Sequence, residues 1–151
     1  MARYFRRGKS KIKWAPSVAG SSPTRPEITA GVDLSPNVAD IAGFQLQNNP
    51  IETPDLSTGF NSQIDGPDTV EDSSLTFYDD DTSTTVRTTL AKGVSGYVLL
   101  MPYGDVAAKR CEVWQVKSTG FNDQWTLDAA AAQAQAGFAV LSTPNQNGTI
   151  P

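Results

Sequence analysis

The chain has 151 residues, enough for one domain that buries roughly 70% of the surface its unfolded form exposes and too few for two. It contains no histidine and a single cysteine, which excludes histidine-centred triads, histidine metal sites, zinc sites built from several Cys and His ligands, and an intrachain disulfide. The net charge of −4 conceals an uneven division: residues 1–25 carry seven basic groups and no acidic one, leaving five basic against sixteen acidic groups in the other 126 residues.

The basic N-terminus spreads its charges through residues 1–14 and has no continuous apolar run, unlike a signal peptide. No other segment approaches the length of a membrane span. A soluble protein made in a cytoplasm is therefore expected. In that compartment Cys111 needs no redox role and the sequon-like Asn147-Gly148-Thr149 is incidental. Arg3, Arg6, Arg7, Lys9, Lys11 and Lys13, interleaved with Tyr4, Phe5 and Trp14, invite a nucleic-acid reading. The acidic body opposes it, because a duplex carries one negative charge per about 1.7 Å of axis. Docking of the arm onto an acidic surface of its own or a neighbouring copy is the favoured expectation. Residues 15–26, rich in Ser, Pro and Gly, read as a linker. The expected organisation is thus an arm and linker over 1–26 and one β-rich domain over 27–151.

In the body, residues 41–47 place Phe44 and Leu46 on one side and Gln45 and Gln47 on the other, the period of a strand with one buried face. Two prolines then break the run within 48–54, and 60–67 ends in the turn signal Asp65-Gly66-Pro67. A second strand is expected over 70–78, with Leu75 and Phe77 opposite Thr76 and Tyr78. Residues 82–92 read as a helix: hydroxyls are available to cap it, Asp79, Asp80 and Asp81 lie at its positive end, and Val86 and Leu90 are four apart before Gly93 stops it. It is expected to pack over 97–101, an apolar run without alternation, as in a strand covered on both faces.

Residues 109–117 divide without a dry or a wet face: Cys111, Val113, Gln115 and Lys117 point one way, Arg110, Glu112, Trp114 and Val116 the other. A strand with one end in the core and the other against a partner fits this pattern, and so does a twisted strand crossing a core edge. In 128–136 the alanines favour a helix by propensity. The period does not, since Gln133 and Gln135 alternate with Ala134 and Ala136, followed by Phe138 and Val140 alternating with Ala139 and Leu141 around Gly137. A strand is expected there, burying little core of its own and lying at an assembly surface or facing water.

Candidates for chemistry are sparse. Cys111 has no histidine to activate it and reads as a small buried hydrophobe. Asp79 to Asp81 supply oxygen ligands for a hard cation but lack the interleaved spacing of a calcium loop, so solvated charge at a turn and helix start is the favoured reading. Asp68, Glu71 and Asp72 stand the same way. Neither a Walker pattern nor a dinucleotide fingerprint occurs. No catalytic residue, metal or cofactor is expected.

Several stretches, in order, resemble the major tail tube proteins of long-tailed, siphophage-type bacteriophages: Lys13-Trp14-Ala15-Pro16, Pro54-Asp55-Leu56, the run from Asp68 to Tyr78, Ala91-Lys92-Gly93, Gly96-Tyr97-Val98, Met101-Pro102-Tyr103-Gly104-Asp105, and Lys109-Arg110-Cys111-Glu112-Val113-Trp114. They are particularly similar to tail proteins of actinobacterial phages and prophages. The resemblance implies a mainly β fold, a small β-sandwich with one flanking α-helix, and a homo-oligomer of hexameric rings stacked into a tube through which viral DNA is ejected. It implies a virion protein assembled in the host cytoplasm, with a tape measure protein, a tail terminator and baseplate or distal tail proteins as partners, DNA passing without specific binding, and no membrane insertion.

On that footing two placements are expected. Arg3, Arg6, Arg7, Lys9, Lys11, Lys13 and Trp14 form an inter-ring arm that docks on Asp79, Asp80 and Asp81. The strands around Phe44 and Ala134 line the channel with Gln45, Gln47, Gln133 and Gln135, in a lumen whose acidic charge repels DNA. The alternatives are another phage structural β-sandwich protein, such as a tail-end cap or capsid decoration, or a nucleic-acid-binding module acting through the arm.

Overall fold

Short runs of alternating apolar and polar side chains, punctuated by Gly and Pro, fold into twelve strands and two short helices in the computed structural model, which describes residues 1–151. In chain order these are β1 (Lys11–Ala15), α1 (Arg25–Ala30), β2 (Val32–Asp33), β3 (Val38–Ala42), β4 (Leu46–Asn48), β5 (Ile51–Glu52), β6 (Gln63–Ile64), β7 (Asp68–Val70), β8 (Ser73–Tyr78), α2 (Thr85–Thr89), β9 (Ser95–Met101), β10 (Arg110–Gln124), β11 (Gln133–Val140) and β12 (Asn145–Thr149). One antiparallel sheet runs β2-β1-β9-β10-β11-β8-β3, with β12 beside the first part of β10. The mainly β architecture is the expected one, and a large sheet wrapped over its core is consistent with a β-sandwich. Two short helices accompany it rather than one.

The sheet curls so that distant strands share a core. Trp14 of β1 stacks on Phe138 of β11 with ring centroids 6.0 Å apart, and Trp114 of β10 and Leu75 and Phe77 of β8 complete the cluster. A second core lies on the other face of β9 and β10, where Leu99, Met101, Cys111 and Val113 are covered by Ile28 of α1, Val18 and Ile150. The two cores explain why 97–101 is apolar without alternation: Val98 faces the first core, Leu99 and Met101 the second. They also resolve 109–117. Cys111 and Val113 enter the second core, Trp114 and Val116 the first, and the cations at the two ends, Lys109, Arg110 and Lys117, are exposed.

Four segments depart from expectation. Residues 1–26 are not a detached arm and linker: Lys11–Ala15 pairs along β9, and the supposed linker ends in α1. This helix starts because the Glu27 carboxylate accepts the Thr24 N–H and hydroxyl, each at 2.9 Å, and the Ala19 N–H at 2.8 Å. The helix expected over 82–92 is only α2, five residues long, since its Thr and Val side chains are stiff at χ1 and poor helix formers. Its end is held by the Ser118 hydroxyl donating to the Leu90 carbonyl at 2.8 Å, and Leu90 shares the first core with Val98. The strand expected over 41–47 breaks after Ala42, where Gly43 (φ 82°) and Phe44 (φ 57°) turn the chain before β4. In 128–136 only Gln133 onward is strand, and the residues before it form an exposed loop.

Candidate functional site

At one end of the molecule, residues 1–10 lie outside the sheet and fold back on the turn after β9. Tyr4 packs 5.3 Å from Tyr103, Lys9 lies 5.0 Å from the Tyr4 ring, and Lys109 lies 5.8 Å from the Tyr103 ring. These cation–π contacts, with no acidic partner, hold the arm while leaving its charges exposed. The basic residues of the run part company at β1. Lys13 pairs with Asp105 at 3.7 Å, a carboxylate that also takes Arg25 at 2.8 Å, and Trp14 is a core residue only 2% exposed. A groove of about 590 Å³ opens beside the arm, with Arg6, Arg7, Lys11, Phe44 and Glu112 in its lining.

Asp79, Asp80 and Asp81 are exposed, and within one chain none pairs with the arm. Asp79 approaches Arg87 at 4.0 Å, and Arg87 also pairs with Asp123 and lies over the Phe121 ring. Asp80 accepts the Thr82 N–H and hydroxyl at 2.8 and 2.7 Å, which lowers its carboxyl below the ordinary range. The triple does not converge on a point where a cation could be held.

Residues 46–70 form a two-stranded arm, with β4 pairing β7 and β5 pairing β6, separate from the main sheet. It carries Glu52, Asp55, Asp65 and Asp68 and no basic residue. Leu56 and Phe60 near its tip are 108% and 77% exposed. The sequence predicts strand at 46–47 and at Val70, and only breaks and turns between them. The signal available was the absence of any Lys or Arg between Arg25 and Arg87, with isolated apolar residues between prolines. Gln45 and Gln47 stand at the root of this hairpin, Gln47 donating to Glu71 at 2.9 Å. The structure thus separates them from Gln133 and Gln135.

Those two lie on the open face of the main sheet. Cross-strand registers set out its rows: Gln124, Gln133 and Tyr78; then Asn122, Gln135, Thr76 and Asp40; then Gly120, Gly137, Ser74 and Ala42. Gln135 donates to Ser74 at 3.0 Å within this face. Its borders are free edges. β3 ends the sheet on one side, and on the other β9 accompanies β10 only as far as Lys117, with Ser118 bonded to Gly93 and Val94. Residues 119–124 therefore have a strand on one side only.

These features define a structural β-protein whose distinguishing parts are surfaces and strand edges. The single thiol, Cys111, is buried, and burial pushes it up to about 11 with help from Glu112 and Asp105. The fold matches a chain of the anti-feeding prophage baseplate, solved by cryo-electron microscopy with six-fold symmetrisation, with a TM-score of 0.63 over 94% of this chain and 95% of that one. At 7% identity the likeness is one of fold. No curated protein matches the sequence. The sequence does match the phage tail tube protein family over residues 1–151, and the chain belongs to that family. It is a structural family, and the protein is accordingly a phage tail component of the virion. No helix is long and apolar enough to cross a membrane.

Proposed function

We propose that this chain is the major subunit of a siphophage-type tail tube, of the kind carried by actinobacterial phages and prophages, and that it assembles as hexameric rings stacked into a hollow tube for DNA ejection. The observation that carries this reading is the open face of β8, β11 and β10, bounded by the free edges of β3 and of 119–124. Unpaired edges invite a strand from another copy. Setting β3 of one subunit beside 119–124 of the next is a head-to-tail contact, which closes into a ring when the rotation allows. The six-fold symmetrisation of the baseplate that shares this fold supports six copies.

Residues 1–10 then act as the arm and 11–151 as the tube domain. The exposed cations Arg3, Arg6, Arg7, Lys9 and Lys11 reach Asp79, Asp80 and Asp81 of the adjacent ring, while Lys13 and Trp14 stay in their own fold. Gln133 and Gln135 face the channel. Tape measure, terminator and distal tail proteins meet the tube inside and at its ends, in particles assembled in the host cytoplasm. Electron microscopy of the concentrated, purified protein tests the reading. Hollow filaments of uniform width support it, and discrete oligomers point instead to a tail-end cap or capsid decoration.

A further inference from the structure

The open face carries less charge than a protein with sixteen acidic residues would lead one to expect. Its three central rows contain Gln124, Gln133, Asn122, Gln135, Thr76 and Ser74, the glycine pair Gly120 and Gly137, and one carboxylate, Asp40, on the marginal strand β3. The next register pairs Lys117 with Ala139 and adds the only cation, on β10. Asp72, just before β8, borders the same face, which therefore holds two carboxylates and one cation, all toward its borders. The other acidic residues lie on the hairpin of 46–70, around Asp79 to Asp81, in α1, in loops and on other strand faces.

Such a face is unsuited to holding a partner. Affinity for a duplex comes chiefly from Lys and Arg at phosphates, and Lys117 alone supplies that. Affinity for a protein comes from apolar area removed from water, and the one large side chain here is Tyr78, 48% exposed. What the face offers is a dense set of amides and hydroxyls over a shallow trough of about 440 Å³ above Gly120 and Gly137, with Asp72 as its one charged lining residue, suited to a layer of exchangeable water. We infer that this face forms the channel wall as an almost uncharged amide and hydroxyl surface, past which hydrated duplex DNA moves with neither phosphate capture nor fixed-charge repulsion. The inference rests on the tube reading and replaces the acidic lumen expected from overall charge.

The test uses the full-length Gln135→Cys variant assembled into filaments, with buried Cys111 as the silent background thiol, and Thr76→Cys in the same row as a second position. One portion is labelled with biotin-maleimide and challenged with streptavidin. The other is labelled with bimane and quenched by iodide, caesium and acrylamide at 0.01 M salt, where the Debye length is about 30 Å. The expected result is streptavidin confined to filament ends, and iodide and caesium quenching constants, each relative to acrylamide, within about twofold of the free label. Iodide quenching suppressed several-fold with caesium enhanced means an acidic wall, and overturns the inference while the tube stands. Streptavidin along the whole filament puts the face outside and also overturns it. Absence of filaments from unlabelled wild-type protein overturns both the inference and the tube reading.

Discussion

Phe44 meets Trp114 in a T-shaped contact, with centroids 5.6 Å apart and planes at 84°, from a backbone in the left-handed region at φ 57°. A bulky residue reaches that region at a cost, here offset by burial: the ring also meets Phe138 at 6.1 Å, and the Phe44 N–H donates to the Ser73 hydroxyl at 3.0 Å. The contact seals the first core where β3 leaves it for the hairpin. Phe44→Ala is expected to cost about 3–5 kcal/mol, as large-to-small changes of buried aromatics do. Phe44→Leu should cost clearly less. Urea titration followed by tryptophan fluorescence measures both, and a Phe44→Ala midpoint equal to wild type would refute the role given to this ring.

The residue before it is bound as tightly. Gly43 has φ 82°, and a Cβ there would lie 2.6 Å from the Asp72 carbonyl oxygen and from the Ser73 Cα. Both neighbours are backbone atoms of the chain entering β8, so neither can swing aside. Gly43→Ala is expected to cost more than the roughly 1–2 kcal/mol of left-handed strain alone. It should detach β3 from β8, lowering hydrogen-exchange protection across the β3–β8 pairing, an effect that Phe44→Leu should not produce.

What was legible in the sequence followed from strict alternation. Leu75 and Phe77 against Thr76, and Ala134 and Ala136 against Gln133 and Gln135, put each side chain on the face the structure gives it. The same period was present at the N-terminus, where Ile12 and Trp14 turn inward between Lys11 and Lys13, but surrounding charge made the run resemble a free arm. The second core was hidden for a different reason. Its cover comes from a six-residue helix and from Ile150 near the chain end, which no periodicity marks, although the Thr24 to Glu27 spacing is a capping signature. Gln45 and Gln47 were grouped with the sheet glutamines because alternation continues across Gly43 and Phe44. Only backbone conformation shows that the chain turns away there.

The cap of α1 makes a prediction in pH. Hydrogen bonds from the Thr24 and Ala19 backbone N–H groups, then from the Thr24 hydroxyl, hold the Glu27 carboxyl below its ordinary value of 4.5. A folded-state pKa below the unfolded one contributes stability that is present above the ordinary value and is lost as pH falls through the lowered one. Glu27→Gln, a mimic of the protonated acid, should therefore melt at a lower temperature than wild type at pH 7. The gap should close progressively below pH 4.5. A gap of constant size across that range would show that the carboxylate charge plays no part in the cap.

Cys111 offers a direct reading of the second core. Its side chain is fully enclosed among Leu99, Val113 and Ile150, and the thiol is pushed up to about 11, first by burial and then by Glu112 and Asp105. Only the thiolate reacts with disulfide reagents, so at pH 8 the folded protein should consume Ellman's reagent many times more slowly than the same protein in 6 M guanidinium. Ile28→Ala, which thins the cover contributed by α1, should raise the folded-state rate while leaving the unfolded rate unchanged. Rapid reaction in the folded wild type would mean that α1 does not seal this core.

The arm gives the sharpest test of inter-ring assembly, and the structure fixes where it must be cut. Deleting 2–13 would remove most of β1, including the core residue Ile12, and strip Trp14 of its strand, so loss of tubes would report misfolding. Deleting 2–8 spares β1 and removes Arg3, Arg6 and Arg7 together with the Tyr4 contact to Tyr103. The truncated protein should keep the wild-type circular dichroism spectrum and form rings or monomers without tubes. Asp79→Lys, Asp80→Lys and Asp81→Lys in one chain should do the same, since exposed pairs attract only within about 8 Å at physiological ionic strength and reversal turns attraction into repulsion. Combining that triple with Arg3→Glu, Arg6→Glu and Arg7→Glu restores opposite signs and should restore tubes. Tubes of normal length from the truncated chain would remove the arm from assembly, and failure of the double reversal would assign its acidic partner to another surface, the hairpin of 46–70 being the most acidic one left.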